Sequence, residues 1–302
     1  MKVFVTGATG FVGDEIVRQL HQTGHSVRML VRKKRRDETR DEAGAEIHVG
    51  NILDPESLRG AVKRIDAVIH LVGIISEVGE STFENVHVRG TGNVVAAARE
   101  QGVKRFIHMS ALGTRANAVS RYHKTKWGAE EIVRGSGLEF TIFRPSLIFG
   151  PGDMFVNLFA KIIRLSPVVP ILGRRDAKFA PVAIETVAGA FVKSLPEGRA
   201  VGQTFDLAGP EVFTLSEMMD QILTVMRRKR LKVHIPAAMA RIQAGLLEFL
   251  FPKVLGKAPP LNRDQHIMLQ EDNVGNAQPA NELFGLRPVQ FREGIAKYLA
   301  VV

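Results

Sequence analysis

Val3-Phe4-Val5-Thr6-Gly7-Ala8-Thr9-Gly10-Phe11-Val12-Gly13 decides how this chain folds. The apolar run Val3 to Val5 reads as a buried strand. From Phe11 to Leu20 the apolar residues recur at helical spacing, at Phe11, Val12, Ile16, Val17 and Leu20. The order is therefore strand, glycine turn, helix. A phosphate bound at such a turn needs close backbone approach and free N–H groups at a helix N-terminus. Gly7, Thr9, Gly10, Phe11, Val12 and Gly13 are accordingly read as the grip on a dinucleotide pyrophosphate.

The same alternation continues outward from this unit. Ser26 to Val31, Glu46 to Val49, Ala67 to Val72, Arg105 to Met109 and Phe140 to Phe143 read as buried strands separated by helix-length segments. Alternating strands and helices imply an α/β fold, a doubly wound parallel sheet of the Rossmann type covered on both faces. After Phe149 the texture changes to Gly150-Pro151-Gly152, a helix over Met154 to Arg164, and the proline-punctuated stretch Ser166 to Gly173. A strand at Gln203 to Leu207, a helix opening at Thr214 with Glu217 as its capping box, and a helical stretch over 237–251 complete a smaller C-terminal α+β lobe. The expected division is residues 1–150 as nucleotide-binding core and 151–302 as substrate or partner lobe, with 177–208 returning to the core.

Composition narrows the classes. The chain has 302 residues, 45% hydrophobic and 24% charged, enough to bury a sizeable core. It has no cysteine, which excludes disulfides and thiolate chemistry. Nine histidines show no HExxH or comparable spacing, so no metal is expected. The longest stretch without Asp, Glu, Lys or Arg, Val3 to Gly13, is too short to span a bilayer, and the N-terminus does not read as a signal peptide. The expected location is the cytoplasm, or the inner face of a membrane as a peripheral protein. The net charge of +10 is concentrated in two groups, one of Arg28 and Arg32 to Arg36, the other of Arg227 to Arg230 with Lys232. Each is a solvated face or a patch for anionic partners. No finger, zipper or aromatic RNA-binding signature accompanies them, so nucleic acid is not an expected partner.

At the end of the second strand an acid would accept hydrogen bonds from the adenosine ribose of NAD, but the chain reads Leu30-Val31-Arg32-Lys33. A guanidinium there suits a 2′-phosphate, so NADP(H) is favoured over NAD(H). Further on, Tyr122-His123-Lys124-Thr125-Lys126 places a lysine one helical turn from one of the two tyrosines. A phenol titrates near about 10, so proton transfer at neutral pH calls for a cation that favours phenolate. Lys126 is expected to lower the Tyr122 pKa while its ammonium hydrogen-bonds the nicotinamide ribose.

The GxxGxxG spacing resembles the short-chain dehydrogenase/reductase superfamily. Gly50-Asn51-Ile52-Leu53-Asp54 resembles its adenine-side turn, and His70-Leu71-Val72-Gly73 the strand end beneath the cofactor. The resemblance thus implies cofactor contacts for Asn51, Ile52, Leu71, Val72 and Gly73. For His70 itself a hydrogen-bonded core position is favoured over catalysis. Arg144-Pro145-Ser146-Leu147 resembles the segment of extended members whose backbone, near Pro145 and Leu147, flanks the nicotinamide. The same resemblance implies that Tyr122 and Lys126 work with a hydroxyl at the end of the fifth strand and an Asn on the preceding helix. Here Ala111 takes the hydroxyl position with Ser110 one residue early, and His87 stands where Asn is usual.

These departures resemble an atypical branch, that of the NADPH-carrying accessory subunit of respiratory complex I, with bacterial relatives and relatives linked to ubiquinone biosynthesis. The resemblance implies an oxidoreductase acting through Tyr122, Lys126 and Ser110 on a carbonyl or quinone-related small molecule. It leaves open a non-catalytic accessory or assembly protein of a membrane-associated respiratory or quinone-biosynthesis system, and a nucleotide-sugar epimerase or dehydratase. A protein partner or a peripheral membrane contact would fall on the basic and apolar C-terminal lobe, where Met239, Ile242, Leu246, Leu247, Phe249, Leu250 and Phe251 are expected to form an apolar helix face flanked by Arg241 and Lys253.

Overall fold

The computed structural model describes residues 1–32, 44–236 and 262–299. Its centre is a seven-stranded sheet built from β1 (Lys2–Thr6), β2 (Ser26–Val31), β3 (Glu46–Val49), β4 (Ala67–His70), β5 (Arg105–Met109), β6 (Glu139–Pro145) and β11 (Gln203–Leu207). The strand order is β11-β6-β5-β4-β1-β2-β3 and every pairing is parallel. Reversal of strand order between β1 and β4 opens a crevice at their carboxyl ends, where ligands bind in sheets of this kind. Val3, Phe4 and Val5 are fully buried, as a central strand covered on both faces requires.

Helices cover both faces. On one side α1 (Phe11–Gln22) packs beside α6 (Ile184–Ser194), and Ile16, Leu20, Val187 and Phe191 meet the sheet through Val5, Met29 and Phe143. On the other lie α2 (Pro55–Ala61), α3 (Gly90–Glu100) and α4 (Arg121–Arg134), sharing a core with Phe4, Val68 and Phe106. A single turn of π-helix, Glu84–Arg89, leads into α3. β11, drawn from beyond the midpoint of the chain, pairs with β6 from Gln203↔Thr141 to Leu207↔Pro145.

A second core gathers α5 (Met154–Leu165), β8 (Val168–Ile171), α7 (Leu215–Val225) and α10 (Phe291–Leu299) around Phe149, Phe159, Met218 and Phe291, and β13 (Leu231–His234) pairs with the edge of β8. The expected capping box is present: Glu217 N–H donates to Thr214 Oγ1 at 3.2 Å, and Thr214 N–H to Glu217 Oε2 at 2.7 Å. β4 closes at His70, two residues before the expected end, and β6 is longer than expected at both ends. The helical stretch read over 237–251, and Lys33 to Arg36 of the first basic group, lie outside the described residues.

Arg28 does not belong to a solvated basic face. It is buried in β2, paired with Glu46 at 2.8 Å and donating to Ala61 O and Lys63 O. The neighbouring strand supplies the acid that its own sequence neighbourhood lacks. Lys232 of the second group is likewise paired, to Asp220 at 2.7 Å. Among the described residues no helix is long and apolar enough to cross a membrane.

Candidate nucleotide and catalytic site

β1 ends at Thr6, and Gly7 turns the chain with φ +75°, a left-handed conformation that disfavours residues bearing a Cβ. Gly10 is the N-cap of α1 and offers no side-chain acceptor to the first-turn amides. Gly13 packs the helix onto the turn so closely that a Cβ would lie 2.1 Å from Gly7 O. Uncapped amides at a helix N-terminus, beside backbone free of side chains, suit an anionic group. A dinucleotide pyrophosphate fits this cradle. Gly7 also abuts Leu71 and Val72, bringing the end of β4 to the turn.

On the adenine side, Arg32 is exposed just past the end of β2. Asn51 Oδ1 is used locally as acceptor for Leu53 N–H, while Ile52 is buried and its carbonyl accepts from Asn93 Nδ2 at 2.8 Å. These contacts fix the turn around Asn51. His70 is fully buried between two hydroxyls, with Nδ1 2.6 Å from Thr6 Oγ1 and Nε2 3.1 Å from Thr91 Oγ1. It is a hydrogen-bonded core histidine.

Ser120 caps α4 and sets the turn that carries Tyr122 and Lys126. Lys126 reaches past Gly73, where a Cβ would meet its Nζ at 2.9 Å, and donates to Met109 O at 3.0 Å. Burial pushes this ammonium down to about 8, an effect that Glu130 only partly offsets. The phenol of Tyr122 moves opposite to the expected direction. Burial pushes it up to about 12, because removal of water disfavours the phenolate. Three rings meet Tyr122 edge-on: Phe83, His87 and His123.

His87 has a defined role. Its Nε2 accepts from Ile74 N–H at 3.1 Å, so Nδ1 carries the proton shared with Thr125 Oγ1 at 2.9 Å. The ring ties the loop after β4 to α4, and burial holds its pKa down at about 2. Ser110 Oγ is paired with Thr114 Oγ1 at 3.3 Å, and Ser110 is buried. The backbone at the end of β6 is also engaged: Leu112 N–H donates to Pro145 O, and Leu147 N–H to Asn273 Oδ1.

Residues that the sequence reading missed close the crevice from a distance. They lie between Asn262 and Asn273, which includes α8 (Arg263–Met268). Asn262 Nδ2 donates to Ile75 O, Asp264 accepts from Arg121 N–H at 2.6 Å, Glu271 pairs with Arg115 at 2.8 Å, and Asn273 holds Ser146 at 2.6 Å. Their separation from these partners exceeds one hundred residues; only the capping box of Asn262 with Gln265, which opens α8, marks the segment locally, and nothing in it points to the partners.

Replacing Gly73 by alanine tests the lysine's path. The added methyl displaces Nζ from Met109 O, and we expect nucleotide affinity to fall roughly tenfold, about 1.4 kcal/mol, as measured by titration calorimetry. Unchanged affinity would separate Lys126 from the nucleotide site.

A glycine turn at the switch point of a parallel sheet, with a Tyr–Lys pair across the crevice, defines a nicotinamide-dinucleotide-binding α/β protein. Residues 7–151 match the NAD(P)H-binding family model. The chain is 30% identical over 254 residues to NADH dehydrogenase [ubiquinone] 1 alpha subcomplex subunit 9, mitochondrial, of Dictyostelium discoideum, covering 81% of this chain and 70% of that one. It is 33% identical over 190 residues to ceramide reductase of Caulobacter vibrioides, covering 63% and 59%. The crystal structure of a Thermotoga maritima UDP-glucose 4-epimerase superposes with a TM-score of 0.76 at 20% identity, covering 99% of this chain and 97% of that one. The chain belongs to the atypical short-chain dehydrogenase/reductase superfamily, an NAD(P)-binding group of oxidoreductase-like and epimerase-like proteins.

Proposed function

We propose that this protein is an NADP(H)-dependent reductase of a carbonyl or quinone-related substrate, with Tyr122 as proton donor. The observation that carries the reading is the convergence of Tyr122, Lys126 and the Gly7–Gly13 turn on one sheet edge, with Lys126 Nζ anchored on Met109 O. The dinucleotide, when bound, supplies the hydride. Tyr122 bears its proton at neutral pH, since its pKa is near 12, and among the described residues its hydroxyl has no hydrogen-bond partner. That state suits donation to a carbonyl oxygen, whereas oxidation of an alcohol needs phenolate. Lys126 is charged below about 8 and holds the cofactor's side of the crevice positive. Ser110 supplies substrate polarisation if Thr114 releases its hydroxyl. Exposed Arg32 supports the preference for NADP(H) through its fit to a 2′-phosphate. The Caulobacter relative named for ceramide reduction supports a reductase.

A second reading rests on His87. Locked between Ile74 N–H and Thr125, it welds the loop to α4 where a catalytic Asn would be expected, as a protein that holds its nucleotide for stability would allow. The relative named as a complex I subunit supports such an accessory role beside a membrane-associated partner.

The nucleotide retained on purification should be NADP(H) by mass spectrometry. Turnover should appear with a panel of apolar aldehydes, ketones and quinones, and decline as pH rises past about 8 with loss of the Lys126 charge. Tyr122→Phe should reduce kcat on the order of a thousandfold with nucleotide affinity unchanged. Tight nucleotide retention with no turnover across the panel would favour the accessory reading, and turnover equal in Tyr122→Phe would remove the phenol from the mechanism.

A further inference from the structure

α5 is apolar on two opposite sides. Val156, Phe159, Ala160 and Ile163 bury one face in the C-terminal core. Met154, Leu158 and Leu165 fall within about 40° of one another on the other face and are 78%, 41% and 77% exposed. Helices apolar all round ordinarily have a partner on each side. α5 contains no acidic residue, and exposed Lys161 and Arg164 edge its outer face.

The chain brings more cations to the same end of the helix. Arg230 Nε donates to Ile163 O at 2.9 Å and Leu231 N–H to Pro167 O at 3.0 Å, seating the turn after α7 against the C-terminal end of α5. This turn exposes Arg227, Arg228 and Lys229, which line an open depression of about 510 Å³. Among the described residues none of the three is ion-paired. Arg227 has φ 51°, the left-handed position at a helix end that glycine or asparagine ordinarily takes. An arginine thus stands where the backbone disfavours any Cβ, and its side chain is exposed rather than packed.

We propose that α5 and the Arg227–Lys229 turn form a docking surface for a bilayer rich in anionic lipid. The apolar stripe is about 16 Å long and runs along the helix axis, as for a helix lying in the plane of the membrane interface. The cations beside it meet the negative potential of anionic headgroups. The inference stands whether or not the protein is a reductase.

Flotation of the purified protein with phosphatidylcholine vesicles, and with vesicles containing about one-third phosphatidylglycerol, tests it. Binding is expected to the anionic vesicles alone at physiological salt. Arg228→Gln with Lys229→Gln should weaken it roughly thirtyfold. Met154→Gln with Leu165→Gln should weaken it at least tenfold, and both pairs lie on the surface, so circular dichroism and the melting temperature should match the parent. Equal binding to both vesicle types, or glutamine variants that float like the parent, would overturn the proposal. So would release by inorganic phosphate at modest concentration, which would assign the depression to a free anion. Absence of flotation with either vesicle would overturn it and leave the face to a protein partner.

Discussion

Gly13→Ala abolishes nucleotide binding. The methyl group would stand 2.1 Å from Gly7 O, 2.7 Å from Ala8 Cα and 2.8 Å from Ala8 C, all backbone atoms that cannot rotate away. Either α1 retreats from the turn or the turn opens, and both move the helix amides off the phosphate position. Overpacking of this kind costs about 3 kcal/mol, so the melting temperature falls as well. Gly92→Ala is the control. Nothing lies within 4 Å of its Cβ position in the interior of α3, and alanine there stabilises the helix by about 1 kcal/mol. Calorimetric titration with NADPH and NADH reads both variants. Parental affinity in Gly13→Ala would mean that the turn does not carry the pyrophosphate.

Acidification unfolds this protein through its buried histidines. Burial holds His70 at about 3 and His87 at about 2, and pushes His108, stacked on His70 at 5.5 Å, well below its ordinary value. In the unfolded chain each titrates near 6.5, so as pH falls below that value the unfolded state takes up protons that the folded state refuses. Stability therefore drops continuously from about pH 6.5 towards 3. At pH 5 each such imidazole costs about 2 kcal/mol, and His70 and His87 together about 4 kcal/mol. Lys126 acts in the opposite window: its folded value near 8 lies below the unfolded 10.5, so stability rises as pH climbs between them. Urea midpoints at pH 7.5 and pH 5 should differ accordingly, and His87→Asn should remove about 2 kcal/mol of that difference. Identical midpoints at the two values would show that these rings accept protons within the fold.

The sequence by itself determined the features set by neighbours along the chain. The change of apolar period at Gly7–Gly13 fixes a strand, a turn and a helix because each period belongs to one backbone geometry. Thr214 and Glu217 announce their cap because three residues span one helical turn. Tyr122 and Lys126 share a face of α4 for the same reason. The tertiary structure decided whatever depends on groups distant in sequence. Arg28 stands in a run of cations, yet Glu46 on the adjacent strand neutralises it. The lysine one turn away suggested a lowered phenol, yet desolvation of Tyr122 raises it. Asn262 announces a helix start through its capping box with Gln265, but neither it nor Asp264, Glu271 and Asn273 signals that they pin the loops after β4, β5 and β6. Local periodicity encodes backbone conformation, whereas pKa values and crevice walls arise from water exclusion and contacts that exist only once the sheet has assembled.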